Sequence, residues 1–293
     1  MSLSDAAAQS WQWKVRDRVI DLRKRTLVMG ILNVTPDSFS DGGRYLDSEA
    51  AIQHGCQLAE DGADIIDIGA ESCRPGRADA LTDEEEWARL EPVLTELRGR
   101  YPDVLLSVDT YRAATARHAL DAGADIINDI YALRHSPEIA RHCADADAGL
   151  IVMHMQGTPD TMQANPQYGN VLAEIRSELQ TAIETAVEQG LPESNVVVDP
   201  GIGFGKTVEH NVEILAGLEY LRLIQRPICV GASRKSFLGA LTGDLPVEER
   251  EDATIAAHCA AVLQGATIIR THNVVAARRS LAVVDALRLA MDI

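Results

Sequence analysis

The chain has 293 residues, of which 46% are apolar and 24% charged, the balance of a folded globular protein rather than a disordered one. Aromatic residues supply only 4%, so Ala, Val, Ile and Leu must build the core, which suits buried parallel strands and packed helices better than an all-β sandwich. Twenty-seven Lys and Arg face 44 Asp and Glu, a formal net charge of −17; this argues against a general nucleic-acid binder or docking on anionic lipid, both of which need a basic footprint, but leaves room for a local pocket that takes a small anion.

The cysteines Cys56, Cys73, Cys143, Cys229 and Cys259 are odd in number and widely spread, with no C-x-x-C pair. Free thiols in a reducing compartment, the cytoplasm, are expected rather than a disulfide framework or a structural zinc site. The opening segment has no apolar h-region and the chain has no run of about 18 apolar residues, so neither a secretory leader nor a membrane span is expected.

In chain order, residues 11–22 alternate as a short hairpin, placed at a barrel floor. Short Val-, Ile- and Leu-rich runs then read as strands at 27–34, 65–68, 104–108, 126–128, 150–153, 196–198, 228–230 and 267–269. Amphipathic segments at 48–61, 82–100, 112–122, 137–146, 171–189, 208–223, 248–264 and 276–290 read as helices, with Thr82 and Glu85 spaced as a capping box. Gly62-Ala63-Asp64, Gly123-Ala124-Asp125 and Gly265-Ala266-Thr267 repeat one phrase at three helix-to-strand joints, where Gly supplies the left-handed helix stop. Eight strand–helix alternations point to an α/β fold, a (β/α)8 barrel with a short N-terminal hairpin, over an open doubly wound sheet. No Pro-, Ser- or Gly-rich linker divides the chain, so residues 1–26 are taken as extension and hairpin and 27–293 as one barrel domain.

In such a barrel the functional side chains sit at the C-terminal ends of the strands, and here those ends are polar. They carry Asn33, Asp67 and Glu71, Asp109, Asn128 and Asp129, His154, Asp199, Ser233 to Ser236, and Arg270 to Asn273. One such end is explained by a cap or turn; eight together, mixing carboxylates, amides and cations, read as a pocket with two halves. Asp109, Asn128 and Asp199 would accept from a ring that carries N–H donors, while Arg234, Lys235, Arg270 and His272 would take an anion. His154, between two methionines, reads as a buried structural histidine. Asp199 to Lys206 contains three glycines, but fits neither the Walker spacing nor G-x-G-x-x-G, and reads as a flexible turn that admits close ligand approach.

The run Met29-Gly30-Ile31-Leu32-Asn33-Val34-Thr35-Pro36-Asp37-Ser38-Phe39-Ser40-Asp41-Gly42-Gly43 resembles the first signature of the dihydropteroate synthases. The resemblance continues in order through Glu71-Ser72-Cys73-Arg74-Pro75-Gly76, Ser107-Val108-Asp109-Thr110, Ile127-Asn128-Asp129, Met153-His154-Met155, Asp199-Pro200-Gly201, Ser233-Arg234-Lys235-Ser236 and Arg270-Thr271-His272. It implies a TIM barrel, usually a homodimer, that joins 6-hydroxymethyl-7,8-dihydropterin diphosphate to p-aminobenzoate in folate synthesis by dissociative loss of diphosphate, with Mg²⁺ accompanying the diphosphate. By motif position, Asp67, Asp109, Asn128, Met153, Asp199, Lys235 and Arg270 would hold the pterin, with Asp109, Asp199, Lys235 and Arg270 central to catalysis. Asn33, Arg74, Arg270 and His272 would hold the diphosphate, and Asn33 the metal. Phe39, Cys73, Arg74, Pro75, Phe204, Lys235 and Ser236 would shape the p-aminobenzoate site.

Two positions depart from the family pattern: Cys73 stands where Thr is usual, replacing a hydroxyl by a weaker hydrogen-bonding thiol, and Asn273 where Asp is common. Two other readings have their own signatures. A methyltetrahydrofolate:corrinoid methyltransferase would share the acidic half but needs no anion half, and a catalytically silent homologue would lack part of the chemistry; Arg234, Lys235, Arg270 and His272 favour the diphosphate reading over both.

Overall fold

A computed structural model describes residues 11–34, 44–71 and 81–291. The chain opens with the antiparallel hairpin β1 (Gln12–Val15) and β2 (Arg18–Asp21). Strands β3 (Leu27–Asn33), β4 (Ile65–Gly69), β5 (Leu105–Asp109), β6 (Ile126–Asp129), β7 (Gly149–Met153), β8 (Val196–Asp199), β9 (Cys229–Val230) and β10 (Ile268–Thr271) then form a parallel sheet in the order β8-β7-β6-β5-β4-β3-β10-β9. A parallel bridge between Val198 and Ile228 joins the two ends, so the sheet closes into a barrel.

Helices α1 (Arg44–Glu60), α2 (Asp83–Arg100), α3 (Ala113–Asp121), α4 (Glu138–Asp145), α5 (Val171–Glu188), α6 (Val208–Ala216), α7 (Ser236–Leu241), α8 (Glu251–Leu263) and α9 (Val274–Ala290) run between and after the strands. The capping box on α2 forms as the spacing predicts, with Glu85 N donating to Thr82 Oγ1 at 3.2 Å and Thr82 N donating to Glu85 Oε2 at 3.0 Å. The three repeated joints have a shared purpose. Gly62, Gly123 and Gly265 adopt φ of +92°, +100° and +108° and stop their helices. The third residue of each phrase then accepts a strand amide: Val28 N on Asp64 Oδ2 at 2.9 Å, Leu106 N on Asp125 Oδ2 at 2.9 Å, and Ile228 N on Thr267 Oγ1 at 3.2 Å. Each joint thus ends a helix and satisfies one amide near the start of a strand.

Two helical predictions are redrawn. The span 208–223 breaks at Gly217, where a Cβ would lie 2.6 Å from Leu172 Cδ1 of α5, and continues as the 3-10 segment Leu218–Ile224. The span 248–264 starts at Glu251, preceded by a 3-10 turn, and the short helix α7 comes before it.

Period-two alternation sorts the strand residues into layers. Outward positions such as Ile66, Leu106, Ile127, Val152, Val198 and Ile269 pack under the helices in one apolar cluster. The lowest inward positions, Met29, Ile65, Leu105, Ile126, Ile151, Val197, Cys229 and Ile268, form a second cluster with Trp13, Val15 and Leu22 of the hairpin. Trp13 is fully buried and its Nε1 donates to Asn195 O at 2.9 Å. Gly149 makes this possible, since a Cβ there would meet the indole at 2.8 Å. The hairpin therefore seals the N-terminal end of the barrel, as expected, and any pocket opens at the other end.

Candidate active site

The site is the next layer up. Two residues beyond the apolar floor, the same strands present Asp67, Ser107, Asn128, Met153, Asp199 and Arg270 to the barrel axis, and a further step brings Asn33, Gly69, Asp109 and His272 to the mouth. Register fixes the neighbours: Asn33 is opposite Gly69, Gly69 opposite Asp109, Asp109 opposite Asn128, and Met153 opposite Asp199. The alternation that packs the floor thus also carries the polar set into one ring.

Arg270 lies across this ring. Its Nε donates to Asp67 Oδ2 at 2.6 Å and its Nη2 to Asp109 Oδ2 at 2.9 Å. Asn128 Nδ2 also donates to Asp67 Oδ2, at 3.1 Å, while Asp67 Oδ1 is buried without a hydrogen-bond partner in the protein. An orphaned carboxylate oxygen in a buried site calls for a donor from a ligand. The two-halves expectation is corrected here for Arg270, which spans the acidic residues instead of standing apart from them.

Burial, with Asp67's charge adding, pushes the Asp109 carboxyl up to about 7 despite the Arg270 guanidinium. Burial likewise raises Asp199, against the donation of Gly201 N to its Oδ1 at 2.6 Å and the nearby cations Arg270 and Lys235. Burial disfavours the charge on Arg270, but Asp67 and Asp109 outweigh it and hold the guanidinium firmly protonated.

Beyond β8 the chain turns through Gly201, Gly203 and Gly205, all at positive φ. The Lys235 ammonium sits 3.9 Å from the centroid of the Phe204 ring, a cation–π contact at the mouth, and the exposed Ser236 starts α7 beside it. Ser233 Oγ lies 2.9 Å from His272 Nδ1 and fixes that imidazole. Asn33 is exposed at the end of β3.

Arg234 does not join this set. Its φ of +58° turns it away from its neighbour's direction, toward Glu251 on α8 at 4.0 Å. Asn273 caps α9, accepting from Ala276 N at 3.0 Å, so its departure from Asp bears on a helix start and not on the anion pocket. His154 is buried and faces outward, with Nε2 3.5 Å from Glu178 of α5, as a structural histidine should. Phe39, Cys73, Arg74 and Pro75 lie outside the described residues.

Residues 29–272 match the family model of the pterin binding enzymes. A dihydropteroate synthase of Neisseria meningitidis serogroup B is 43% identical over 265 residues, covering 89% of this chain and 92% of that protein. The chain belongs to the dihydropteroate synthase family. Among solved structures, the Yersinia pestis dihydropteroate synthase in a sulfonamide drug complex superposes with a TM-score of 0.87 at 41% identity, covering 95% of this chain and 99% of that one. The Xanthomonas albilineans dihydropteroate synthase with 4-aminobenzoic acid gives 0.86 at 42%, covering 94% and 98%. The chain also matches a mitochondrial folate synthesis bifunctional protein of Arabidopsis thaliana at 41% identity, spanning 49% of its length.

Membership in this family directs attention to supporting residues that sequence reading passed over. Arg112 is nearly buried and pairs with Glu71 at 2.8 Å and Glu86 at 3.2 Å, while its guanidinium lies 4.4 Å from the Tyr111 ring centroid. It ties the end of β4 to α2. Nothing local marks it, because its acidic partners come from the preceding strand–helix unit. Lys206 was visible only as the last letter of a failed nucleotide motif, and in three dimensions it is buried.

Proposed function

We propose that this chain condenses 6-hydroxymethyl-7,8-dihydropterin diphosphate with p-aminobenzoate, giving 7,8-dihydropteroate and diphosphate. The observation that carries the reading is the polar ring itself, with the orphaned Asp67 Oδ1, Asn128, Asp109 and Asp199 set above an apolar floor. A pterin presents a flat ring with several N–H donors, and buried carboxylates accept such donors as strong charge-assisted bonds. Met153 offers an apolar surface beside them. His272, held by Ser233, would hold the diphosphate together with Arg74.

In a dissociative course the C–O bond breaks first and diphosphate takes the bonding pair. The carboxylates of Asp67, Asp109 and Asp199 would stabilise the pterin-methyl cation left behind, since preorganised opposite charge counts for most in a buried site. The amine of p-aminobenzoate, placed by Phe204, Lys235 and Ser236 together with Phe39, Cys73, Arg74 and Pro75, then forms the C–N bond and gives up a proton to the released diphosphate. No side-chain nucleophile is required.

Mg²⁺ fits this arrangement as a companion of the diphosphate. Asn33 offers an amide oxygen, and among the described residues no three His, Cys, Asp or Glu side chains gather to hold a metal. A hard cation that keeps several waters and leans on phosphate oxygens suits such a sparse donor set. When bound it would absorb charge on the leaving group.

Two further readings belong to this proposal. The chain acts in the cytoplasm, which the unpaired thiols of Cys56, Cys143, Cys229 and Cys259 support, and no helix among the described residues is long and apolar enough to cross a membrane. It works as a homodimer, which the exposed Val283 and Leu287, one turn apart on α9, support. The test of the activity is diphosphate release measured with both substrates: release must depend on p-aminobenzoate and on Mg²⁺, and release without p-aminobenzoate, or none with it, rules the reading out.

A further inference from the structure

Lys206 is a charged side chain in an unusual place. It is 3% exposed and sits where the glycine-rich turn meets α6. Its Nζ lies 2.8 Å from Phe204 O, 3.0 Å from His154 Nδ1 and 3.4 Å from His154 O. An ammonium has three donors, and here each has an acceptor. Those acceptors belong to two places, the turn that carries Phe204 and the residue that follows β7.

The turn has little stiffness of its own. Gly201, Gly203 and Gly205 all have positive φ, and glycine gives up the most conformational freedom on ordering. One bond lies inside it, from Phe204 N to Gly201 O at 3.0 Å, and outside side chains add three more: Gly203 N donates to Asn211 Oδ1 at 2.7 Å, Gln163 Nε2 to Gly203 O at 2.9 Å, and Tyr168 OH to Gly205 O at 2.8 Å. Lys206 adds the bond to the Phe204 carbonyl, and the Phe204 ring meets the Lys235 ammonium at 3.9 Å.

We propose that Lys206, as an ammonium, is a positioning residue for the arylamine subsite: it fixes the Phe204 carbonyl and so the Phe204 ring against Lys235. The proposal rests on the functional reading above for its kinetic consequence, not for its structural one. Several groups face Lys206. Asp199 of β8 favours its charge, as does Glu178 of α5, while Lys235 and Arg134 oppose it; His154 of the β7 end touches it directly. Burial prevails and brings the ammonium down to about 7. The charged form therefore gives way as pH rises above neutrality, and with it one of the three donors and the charge that strengthens the bond to Phe204.

This direction is opposite to that of Asp109, whose ionised form is lost as pH falls. The two residues also bear on different substrates, the pterin for Asp109 and the arylamine for Lys206. A pH profile of each KM separates them.

The test uses the full chain with Lys206→Met and Lys206→Arg. In wild type, KM for p-aminobenzoate is expected to rise at least fivefold from pH 6.5 to 9, with KM for the pterin diphosphate not rising over that range, because Asp109 ionises across it. Lys206→Met should show a p-aminobenzoate KM raised at least fivefold at pH 6.5 and flat in pH. Lys206→Arg, which keeps its charge throughout, should restore a low KM that is also flat. Hydrogen exchange of the 201–206 amides is a readout that needs no turnover: it should quicken at least tenfold in Lys206→Met and return toward wild type in Lys206→Arg. Unchanged exchange in Lys206→Met overturns the proposal whatever the enzyme's activity. Quickened exchange with equal losses in both substrates overturns its assignment to the arylamine subsite. Absence of turnover in wild type alongside quickened exchange rejects the functional reading and keeps the positioning of Phe204.

Discussion

Arg270 is the most informative residue to remove. Arg270→Met keeps much of the stem and deletes the guanidinium that spans Asp67 and Asp109 at 2.6 and 2.9 Å. Asp67 is fully buried, so the deletion leaves two carboxylates facing each other with little water between them. Losing one partner of a buried pair costs about 3–5 kcal/mol, which for a chain of this size corresponds to roughly 5–15 °C in melting temperature.

The pH dependence is the sharper part of the prediction. Asp109's carboxyl is raised to about 7 in the folded chain, from an ordinary 3.8. A raised carboxyl binds its proton more tightly folded than unfolded, so from about 4 to about 7 this group makes the protein less stable as pH rises. Below about 7 Asp109 is mostly neutral and Arg270 loses one of its two charged partners. Above it the pair is complete, and the variant must hold both charges without a counter-ion. The deficit of Arg270→Met should therefore grow from pH 5.5 to pH 8.5, by several degrees in melts run at constant ionic strength. A deficit that is equal at the two pH values, or smaller at 8.5, would refute the bridging role of Arg270. Turnover at pH 8 should fall more than about 100-fold, the loss of about 3 kcal/mol in the transition state.

Three more substitutions probe separate parts of the site. Asp199→Asn keeps an oxygen for the Gly201 amide, held at 2.6 Å, but loses a charged acceptor; calorimetry should show pterin diphosphate binding weakened about 10- to 150-fold, the equivalent of about 1.5–3 kcal/mol, and unaltered affinity would count strongly against the pterin assignment. Gly201→Ala places a Cβ 1.9 Å from His154 O at a φ of +66°, so it should cost about 3 kcal/mol or more; a variant melting within 2 °C of wild type is incompatible with that close approach. Arg112→Met leaves Glu86 buried without its cation, and burial already raises that carboxyl; urea unfolding should show a loss of about 3–5 kcal/mol at pH 8 that shrinks as pH is lowered and Glu86 takes up a proton, and a loss that does not change with pH would remove the charge from the explanation.

Much of the architecture was legible because it is periodic. Alternation along 65–68 and 104–108, the capping box at Thr82, and the repeated Gly-Ala-Asp joints each express a local rule. The polar ring was legible as strand ends for the same reason, since two residues beyond an inward Ile or Val is again inward. What the sequence did not disclose depends on partners far along the chain. Arg270 and Asp67 are 203 residues apart, and no spacing rule says that an arginine will reach across a barrel to a carboxylate. Arg234 and Lys235 are adjacent cations with different fates, because a single positive φ at Arg234 sends one to α8 and leaves the other over Phe204. The break at Gly217 likewise answers to Leu172 on another helix.

The local electrostatics also change what the net charge of −17 means. Screening over about 8 Å at physiological salt mutes the bulk acidity, so the ring and its near neighbours set the charge the ligand meets. There, Arg270 already neutralises one side of Asp67 and reaches Asp109, with Asn128 sharing the same Asp67 oxygen. What stays open is Asp67 Oδ1, which is buried and unpartnered. A ring that donates N–H groups can satisfy this oxygen with Arg270 left in place. A cationic ring would have to enter beside the guanidinium, and an anionic one would face the orphaned oxygen. The site therefore selects a neutral, donor-rich heterocycle in the ground state and keeps its carboxylates for the positive charge that develops only as diphosphate departs, which is the order of events that favours the transition state over the substrate.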